Sequence, residues 1–195
     1  MKGVSIAANV YQNAFMTRIV RNEEKWVHTF LDGACKMDYT IREIRIDEIP
    51  LLEDFLYEAI FVPAGELKPD KNIIRLPELQ VYVEGFGSKA DDICFVAEVS
   101  TKVVGAVWVR DMDDYGHIQD GVPSFAISLY EDNRGYGIGT NLMKRMLQEL
   151  ASREYQKASL SVQKANYAAK MYLDLGFNVV HENEDEYIMV YNFRK

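Results

Sequence analysis

The sequence predicts a mixed α/β fold in which helices pack on a mostly antiparallel sheet. Three observations predict it. Runs rich in β-branched and aromatic residues alternate with amphipathic stretches from Tyr39 to Phe193. Two of those runs, Ile93–Val99 and Val103–Val109, are separated by a short polar turn, as in a hairpin. A glycine-rich turn then leads out of a strand into a long amphipathic helix. The chain has 195 residues, which suits one domain of about 150 residues with an appendage.

The elements follow in order. Tyr39–Ile46 reads as a strand, with a change of phase between Ile41 and Ile44 that predicts a bulge. Asp47 is placed to cap a helix carrying Leu52, Phe55, Leu56 and Ala59 on one side. A loop rich in Pro and Gly follows, and Pro77 suits the first turn of a second, short helix. Ile93–Val99 and Val103–Val109 form the hairpin, with Thr101 and Lys102 as its turn. An acidic loop leads to a strand over Ser124–Tyr130. Leu142, Met143, Met146, Leu147 and Leu150 mark a long helix, and Ala158–Val162 is a strand. Ala165–Leu175 is a helix closed by Gly176 in the left-handed position after its end. Phe177–His181 and Tyr187–Phe193 are the last two strands. The order is β-α-α-β-β-β-α-β-α-β-β.

Residues 1–37 differ from this pattern and read as an extension to a domain spanning 38–195. Tyr11, Phe15 and Ile19 lie four apart and Trp26, Val27, Phe30 and Leu31 follow, which predicts one or two amphipathic helices. Those apolar residues make the extension a candidate homodimer surface. Met37 offers an alternative start of translation, which would leave the extension outside the protein.

Composition narrows the function classes. Hydrophobic residues make up 48% and charged residues 27%, which is ordinary for a globular protein. The net charge of -8 and the lack of a dense Lys/Arg run argue against nucleic acid or an anionic membrane as partner. Two cysteines suit a reducing cytoplasm, and with three scattered histidines they offer no metal site. No stretch approaches the ~18 apolar residues of a membrane-spanning helix.

The chemistry concentrates in Leu129, Tyr130 and the turn Arg134-Gly135-Tyr136-Gly137-Ile138-Gly139-Thr140. Glycine lets backbone approach a ligand closely, and the N–H groups and dipole of the following helix favour an anion such as a phosphate or pyrophosphate. Arg134 would add charge. A Walker A loop needs Lys-Ser/Thr after its last glycine, whereas Gly139 is followed by Thr140-Asn141. Gly-x-Gly-x-x-Gly fails in both registers, ending on Thr140 or Leu142.

Arg134-Gly135-Tyr136-Gly137-Ile138-Gly139 resembles the Arg/Gln-x-x-Gly-x-Gly/Ala motif of the GNAT superfamily of N-acetyltransferases. Asn166-x5-Tyr172-x3-Gly176-Phe177 is similar to that family's second motif, at the right spacing and in the right element order. The resemblance covers about four-fifths of the chain, from Tyr39 to Phe193. It implies a mostly antiparallel sheet of about seven strands with helices on both faces. It also implies transfer of an acetyl group from acetyl-CoA, as co-substrate and without a metal, to a primary amine of a small molecule or peptide, through a tetrahedral intermediate.

Carried over by residue, the backbone of Arg134 to Thr140 would bind the pyrophosphate, and Leu129 and Tyr130 would pair with the pantetheine arm. The Leu129 N–H would stabilise the oxyanion, Asn166 would contact CoA or simply cap its helix, and Tyr172 would protonate the leaving thiolate. The strand carrying Leu129 should splay from Ala158–Val162. Glu131, Glu84, His117 and Glu98 are all open as the general base. The acceptor pocket should form from the first two helices, their connecting loop and the loop before Ser124. That last loop carries Asp111, Asp113, Asp114 and Asp120, which would steer a cationic amine. The alternative function is a non-catalytic acyl-CoA-binding or sensor module.

Overall fold

The computed structural model describes residues 17–22, 25–30, 37–63 and 65–193. They form one sheet of nine strands: β1 (Thr17–Asn22), β2 (Lys25–Phe30), β3 (Tyr39–Glu43), β4 (Ile93–Val99), β5 (Lys102–Arg110), β6 (Ser124–Leu129), β7 (Lys157–Gln163), β8 (Asn178–Glu182) and β9 (Glu186–Asn192). The spatial order is β1-β2-β3-β4-β5-β6-β7-β9-β8, antiparallel throughout except where β6 meets β7. Among the described residues four α-helices pack on the sheet: α1 (Leu51–Ala59), α2 (Pro77–Gln80), α3 (Ile138–Ser152) and α4 (Ala168–Leu175). From Tyr39 onward the element order is the expected one.

Alternation along the strands divides the core into two layers. Phe95, Val107, Val109, Phe125, Ile127 and Leu129 face α3 and α4. Their neighbours Cys94, Val96, Ala106, Trp108 and Ala126 face α1 and α2. Both faces are therefore buried, and the central strands read as nearly continuous apolar runs. Each fully buried large side chain, such as Phe55 or Leu142, contributes about 1.5–3 kcal/mol. Trp108 is fully buried and still satisfied, because its Nε1–H donates to the Tyr82 carbonyl at 3.0 Å.

Several local expectations are corrected. The helices expected in the extension are not what its described part forms: Thr17–Asn22 and Lys25–Phe30 pair as a hairpin, and β2 continues onto β3 through Trp26↔Ile41 and His28↔Tyr39. Thr17, Ile19, Val20, Val27 and Thr29 are β-branched, and a sheet edge is available to extend. Tyr11, Phe15 and Leu31 lie outside the described residues. The bulge falls in β5 rather than β3, where Ala97↔Gly105 is followed by Glu98↔Val103, leaving Val104 as the extra residue. The β4–β5 turn is Ser100-Thr101, both in the left-handed region (φ 45° and 71°), one residue earlier than expected. Asp47 lies in a 3₁₀ turn, and α1 begins after Pro50.

Candidate functional site

The glycine turn is built as the sequence suggests. Beyond β6, a short 3₁₀ turn over Glu131–Asn133 leads to Gly135 and Gly137, whose φ angles of 85° and 76° disfavour residues with a Cβ. Gly137 then caps α3. The first intrahelical bond runs from the Asn141 N–H to the Gly137 carbonyl. The N–H groups of Ile138, Gly139 and Thr140 therefore have no acceptor within the helix, and the positive end of a fifteen-residue helix lies behind them. A phosphate or pyrophosphate suits these donors. Asn141 also pins this end to the sheet, donating to the Tyr39 hydroxyl at 2.6 Å.

Arg134 has a different part from the expected one. Its backbone N–H donates to the Glu131 carbonyl, so it is not a free donor for an anion. Its guanidinium turns inward, with Nε donating to the Leu129 carbonyl at 3.0 Å and Nη2 to Glu58 Oε2 at 3.0 Å. The side chain is 8% exposed. Arg134 thus braces the turn against β6 and α1, and the N–H groups with no acceptor within the helix lie after it. Glu58, the partner on α1, was invisible to motif reading.

The expected splay is present. β6 and β7 pair only at Ser124↔Ser159, near their starts, and separate toward their carboxyl ends. The Tyr130 N–H donates to the Val104 carbonyl at 3.0 Å across β5. Leu129 is the neighbouring residue, and in an antiparallel pair adjacent residues point their N–H groups to opposite edges. The Leu129 N–H therefore faces the gap beside β7. Gly105, the cross-strand partner of Leu129, leaves room for the Leu129 side chain, because a Cβ there would lie 2.7 Å from Leu129 Cγ. Sequence reading passed over Gly105, since only its partner across the ladder shows what it must avoid.

The remaining residues fall on both sides of this gap. Tyr172 on α4 is 2% exposed and belongs to the same apolar cluster as Leu129 and Ile138. It packs edge-on against Phe177 at 5.8 Å between ring centroids. Asn166 is buried, and its Oδ1 accepts from the Ala168 N–H at 2.9 Å, so its side-chain oxygen caps α4. Tyr130 stacks against Phe55 at 5.0 Å on the opposite face. Tyr136 is half-buried against the α3 cluster.

Of the four carboxylate and histidine candidates for a base, Glu98 is tied through one oxygen to Arg42. Its Oε2 accepts from Arg42 Nε at 3.0 Å and Nη2 at 2.6 Å, while Arg42 also binds Glu48 through two bonds of 2.7 Å. His117 Nδ1 lies 3.0 Å from the Met112 carbonyl. Glu84 and Glu131 are exposed.

On the α1 face, a cleft of about 800 Å³ opens between the α1–α2 loop and the β8–β9 turn, with Tyr115 and Gln163 in its lining. The expected acidic loop contributes only Tyr115 to it. Asp111, Asp113 and Asp120 surround a separate hollow of about 400 Å³ with Lys89 and His117. Asp114 is turned inward, with Oδ2 accepting from the Tyr82 hydroxyl at 2.7 Å and the Ser124 hydroxyl at 2.8 Å. Burial pushes its carboxyl above the usual range, against the lowering effect of those bonds. The acidic wall of the cleft comes instead from the β8–β9 turn, which sequence reading did not assign to the site.

Residues 55–177 match the acetyltransferase (GNAT) family. Comparison with curated proteins gives no match. Among solved structures, the fold is similar to an acetyltransferase of the GNAT family from Streptococcus pneumoniae, at 18% identity and a TM-score of 0.57, over 80% of this chain and 99% of that one. It is also similar to the PaiA N-acetyltransferase of Thermoplasma acidophilum in complex with coenzyme A, at 16% identity and a TM-score of 0.60, over 80% and 100%. The ribosomal-protein-alanine N-acetyltransferase of Brucella melitensis matches at 18% identity and a TM-score of 0.54, over 78% and 99%.

Proposed function

Because the chain belongs to the GNAT acetyltransferase family, we propose that it moves an acetyl group from acetyl-CoA to the primary amine of a small molecule or peptide. The observation that carries this reading is the splay of β6 from β7 directly beside the glycine turn. The bound co-substrate supplies an activated acyl thioester. The chain supplies the rest. Gly135 to Thr140 hold the pyrophosphate through backbone donors, and the Leu129 and Tyr130 strand end lines the gap for the pantetheine arm. The Leu129 N–H meets the carbonyl oxygen as it gains negative charge, and one such donor is typically worth about 3–4 kcal/mol of barrier. Tyr172 holds a proton for the departing thiolate. Asn166 fixes the start of α4 and hence the height of Tyr172 in the gap. We assign this catalytic unit to residues 38–195 and read residues 1–37 as an extension to it, of which Thr17–Asn22 and Lys25–Phe30 join its sheet.

The test is a thermal-shift titration with acetyl-CoA, with ATP and NAD as controls, followed by an assay of thiol release with an amine panel. Saturation at 100 times the dissociation constant adds about 2.7 kcal/mol of apparent stability. A shift with acetyl-CoA alone and amine-dependent thiol release support the reading. A shift without turnover on any amine favours the non-catalytic binding module. No shift with acetyl-CoA overturns both.

A further inference from the structure

One carboxylate on α1 is bonded to the glycine turn through one oxygen and to the α1–α2 loop through the other. We propose that Glu58 is a positioning residue that couples the two, so that coenzyme A held in the turn orders the loop; the proposal rests on the acetyl-transfer reading above.

Glu58 is the penultimate residue of α1. Its Oε2 accepts from Arg134 Nη2 at 3.0 Å, and Arg134 Nε donates to the Leu129 carbonyl at the end of β6. Its Oε1 accepts from Lys68 Nζ at 2.9 Å. The Lys68 ammonium also lies 4.1 Å from the Tyr57 ring centroid. The next residue, Pro69, offers its carbonyl to the Tyr57 hydroxyl at 2.7 Å. Glu66, Leu67 and Pro69, on either side of Lys68, line the cleft of about 800 Å³. A continuous chain of polar contacts thus runs from the strand end beside the splay to the wall of that cleft, and Glu58 joins its two halves.

This link is separate from the packing of α1. The helix is fixed on β6 by its apolar face and by the buried Ser128 hydroxyl, which donates to the Phe55 carbonyl at 2.7 Å. Those contacts hold the α1 backbone whether or not Glu58 carries a charge. The carboxylate adds a connection between side chains. Exposure falls from 35% at Lys68 to 21% at Glu58 and 8% at Arg134, so water screens the Arg134 half least.

Two cations on one carboxylate leave this group one positive charge in excess. A pyrophosphate at the glycine turn offsets that charge and narrows the positions open to Arg134. Glu58 is narrowed with it, and Lys68 then finds its acceptor in one place rather than several. Order gained at one site lowers what the other must still lose, so the coupling is positive. It is also reciprocal: a change at Lys68 must reach the affinity for coenzyme A by the same factor.

The experiment is hydrogen exchange on the full chain with and without coenzyme A, read over residues 65–70, together with isothermal titration of coenzyme A. In the unaltered protein coenzyme A should slow exchange of this segment about fivefold, although the segment lies outside the glycine turn. Glu58→Gln keeps the shape of the side chain and loses its charge. It should bind coenzyme A and lose the slowing. Lys68→Met should lose the slowing and bind coenzyme A about fivefold more weakly, while Lys68→Arg keeps both. Tyr57→Phe removes the other hold on the loop. Exchange without coenzyme A should then rise, with the slowing still present on binding. A merely structural Glu58 would behave as Tyr57 does, with faster exchange and an intact response. Coenzyme A binding without slowing in the unaltered protein, or equal slowing in Glu58→Gln or Lys68→Met, would overturn the proposal. If Glu58→Gln fails to fold, Lys68→Met against Lys68→Arg decides alone. Absence of coenzyme A binding by the unaltered protein would instead sink the acetyl-transfer reading.

Discussion

Arg134 and Glu58, 76 residues apart in the chain, meet as an ion pair at 3.0 Å. The same guanidinium donates to the Leu129 carbonyl, so one side chain joins α1, the end of β6 and the glycine turn. Both partners are largely buried, at 8% and 21% exposure. Truncating Arg134 to Ala leaves the Leu129 carbonyl without its side-chain donor and the Glu58 carboxylate with Lys68 alone. The expected loss is about 2–3 kcal/mol in urea denaturation, with weaker binding of acetyl-CoA. Glu58→Gln combined with Arg134→Ala should cost less than the sum of the two, because the second change removes a charge the first has stranded. Strict additivity would show that the pair is not coupled.

Gly137 is left-handed at 76° and begins α3. Gly137→Ala should cost about 1–2 kcal/mol of stability from the backbone alone. Gly121 is left-handed at 77° with nothing within 4 Å of where a Cβ would stand, so Gly121→Ala carries similar strain away from the turn. Isothermal titration with acetyl-CoA separates the two. The expected result is weakened binding for Gly137→Ala and unchanged binding for Gly121→Ala.

Tyr172→Phe removes only a hydroxyl from a buried ring that keeps its packing on Phe177. If that hydroxyl protonates the thiolate, kcat falls on the order of 10²–10⁴ while acetyl-CoA affinity stays within a few-fold. A parallel fall in affinity and thermal stability, with little change in kcat, would make Tyr172 a core residue only.

The sequence made the strand–turn–helix legible because its signals are local: alternation in Ser124–Leu129, three spaced glycines, and a 3.6-residue apolar stripe from Leu142 to Leu150. The splay was legible only through the family resemblance. What was hidden depends on contacts between distant segments. Arg134 looked like an anion ligand because Glu58 cannot be seen from the motif. The acidic loop looked like the wall of the acceptor pocket because its charge is countable, while its direction depends on Asp114 finding Tyr82 and Ser124. The extension was read by its four-residue spacing of Tyr11, Phe15 and Ile19. Its β-branched residues and the free edge of β3 decide otherwise between Thr17 and Phe30.

That edge yields a prediction. β2 pairs with β3 at Trp26↔Ile41, Val27↔Thr40 and His28↔Tyr39. A chain beginning at Met37 would leave β3 with unpaired N–H and C=O groups along one side, an invitation to pairing between molecules. Size-exclusion chromatography should show self-association of the shortened chain, with its acetyl-CoA thermal shift intact. A monomer of unchanged stability would mean that the extension does not support the sheet.

Glu48 and Asp114 should move stability in opposite directions with pH. The hydrogen bonds from Arg42 hold the Glu48 carboxyl below its usual value of 4.5, with a further backbone bond from Arg45. Its folded-state pKa is depressed, so its contribution is present above 4.5 and is lost as pH falls through the folded value. Glu48→Gln should cost about 3 kcal/mol near neutral pH, where it leaves Arg42 with Glu98 alone, and the gap from the unaltered protein should close on acidification. Asp114 is the reverse case. Burial raises its pKa above 3.8, so its contribution is greatest below that value and declines as pH rises through the raised one. Asp114→Asn should abolish that decline. Urea denaturation of the three proteins from pH 3 to 7 checks both signs. A Glu48→Gln deficit that is constant with pH, or an Asp114→Asn curve parallel to the unaltered one, would show that the respective carboxyl does not titrate differently in the folded and unfolded chains.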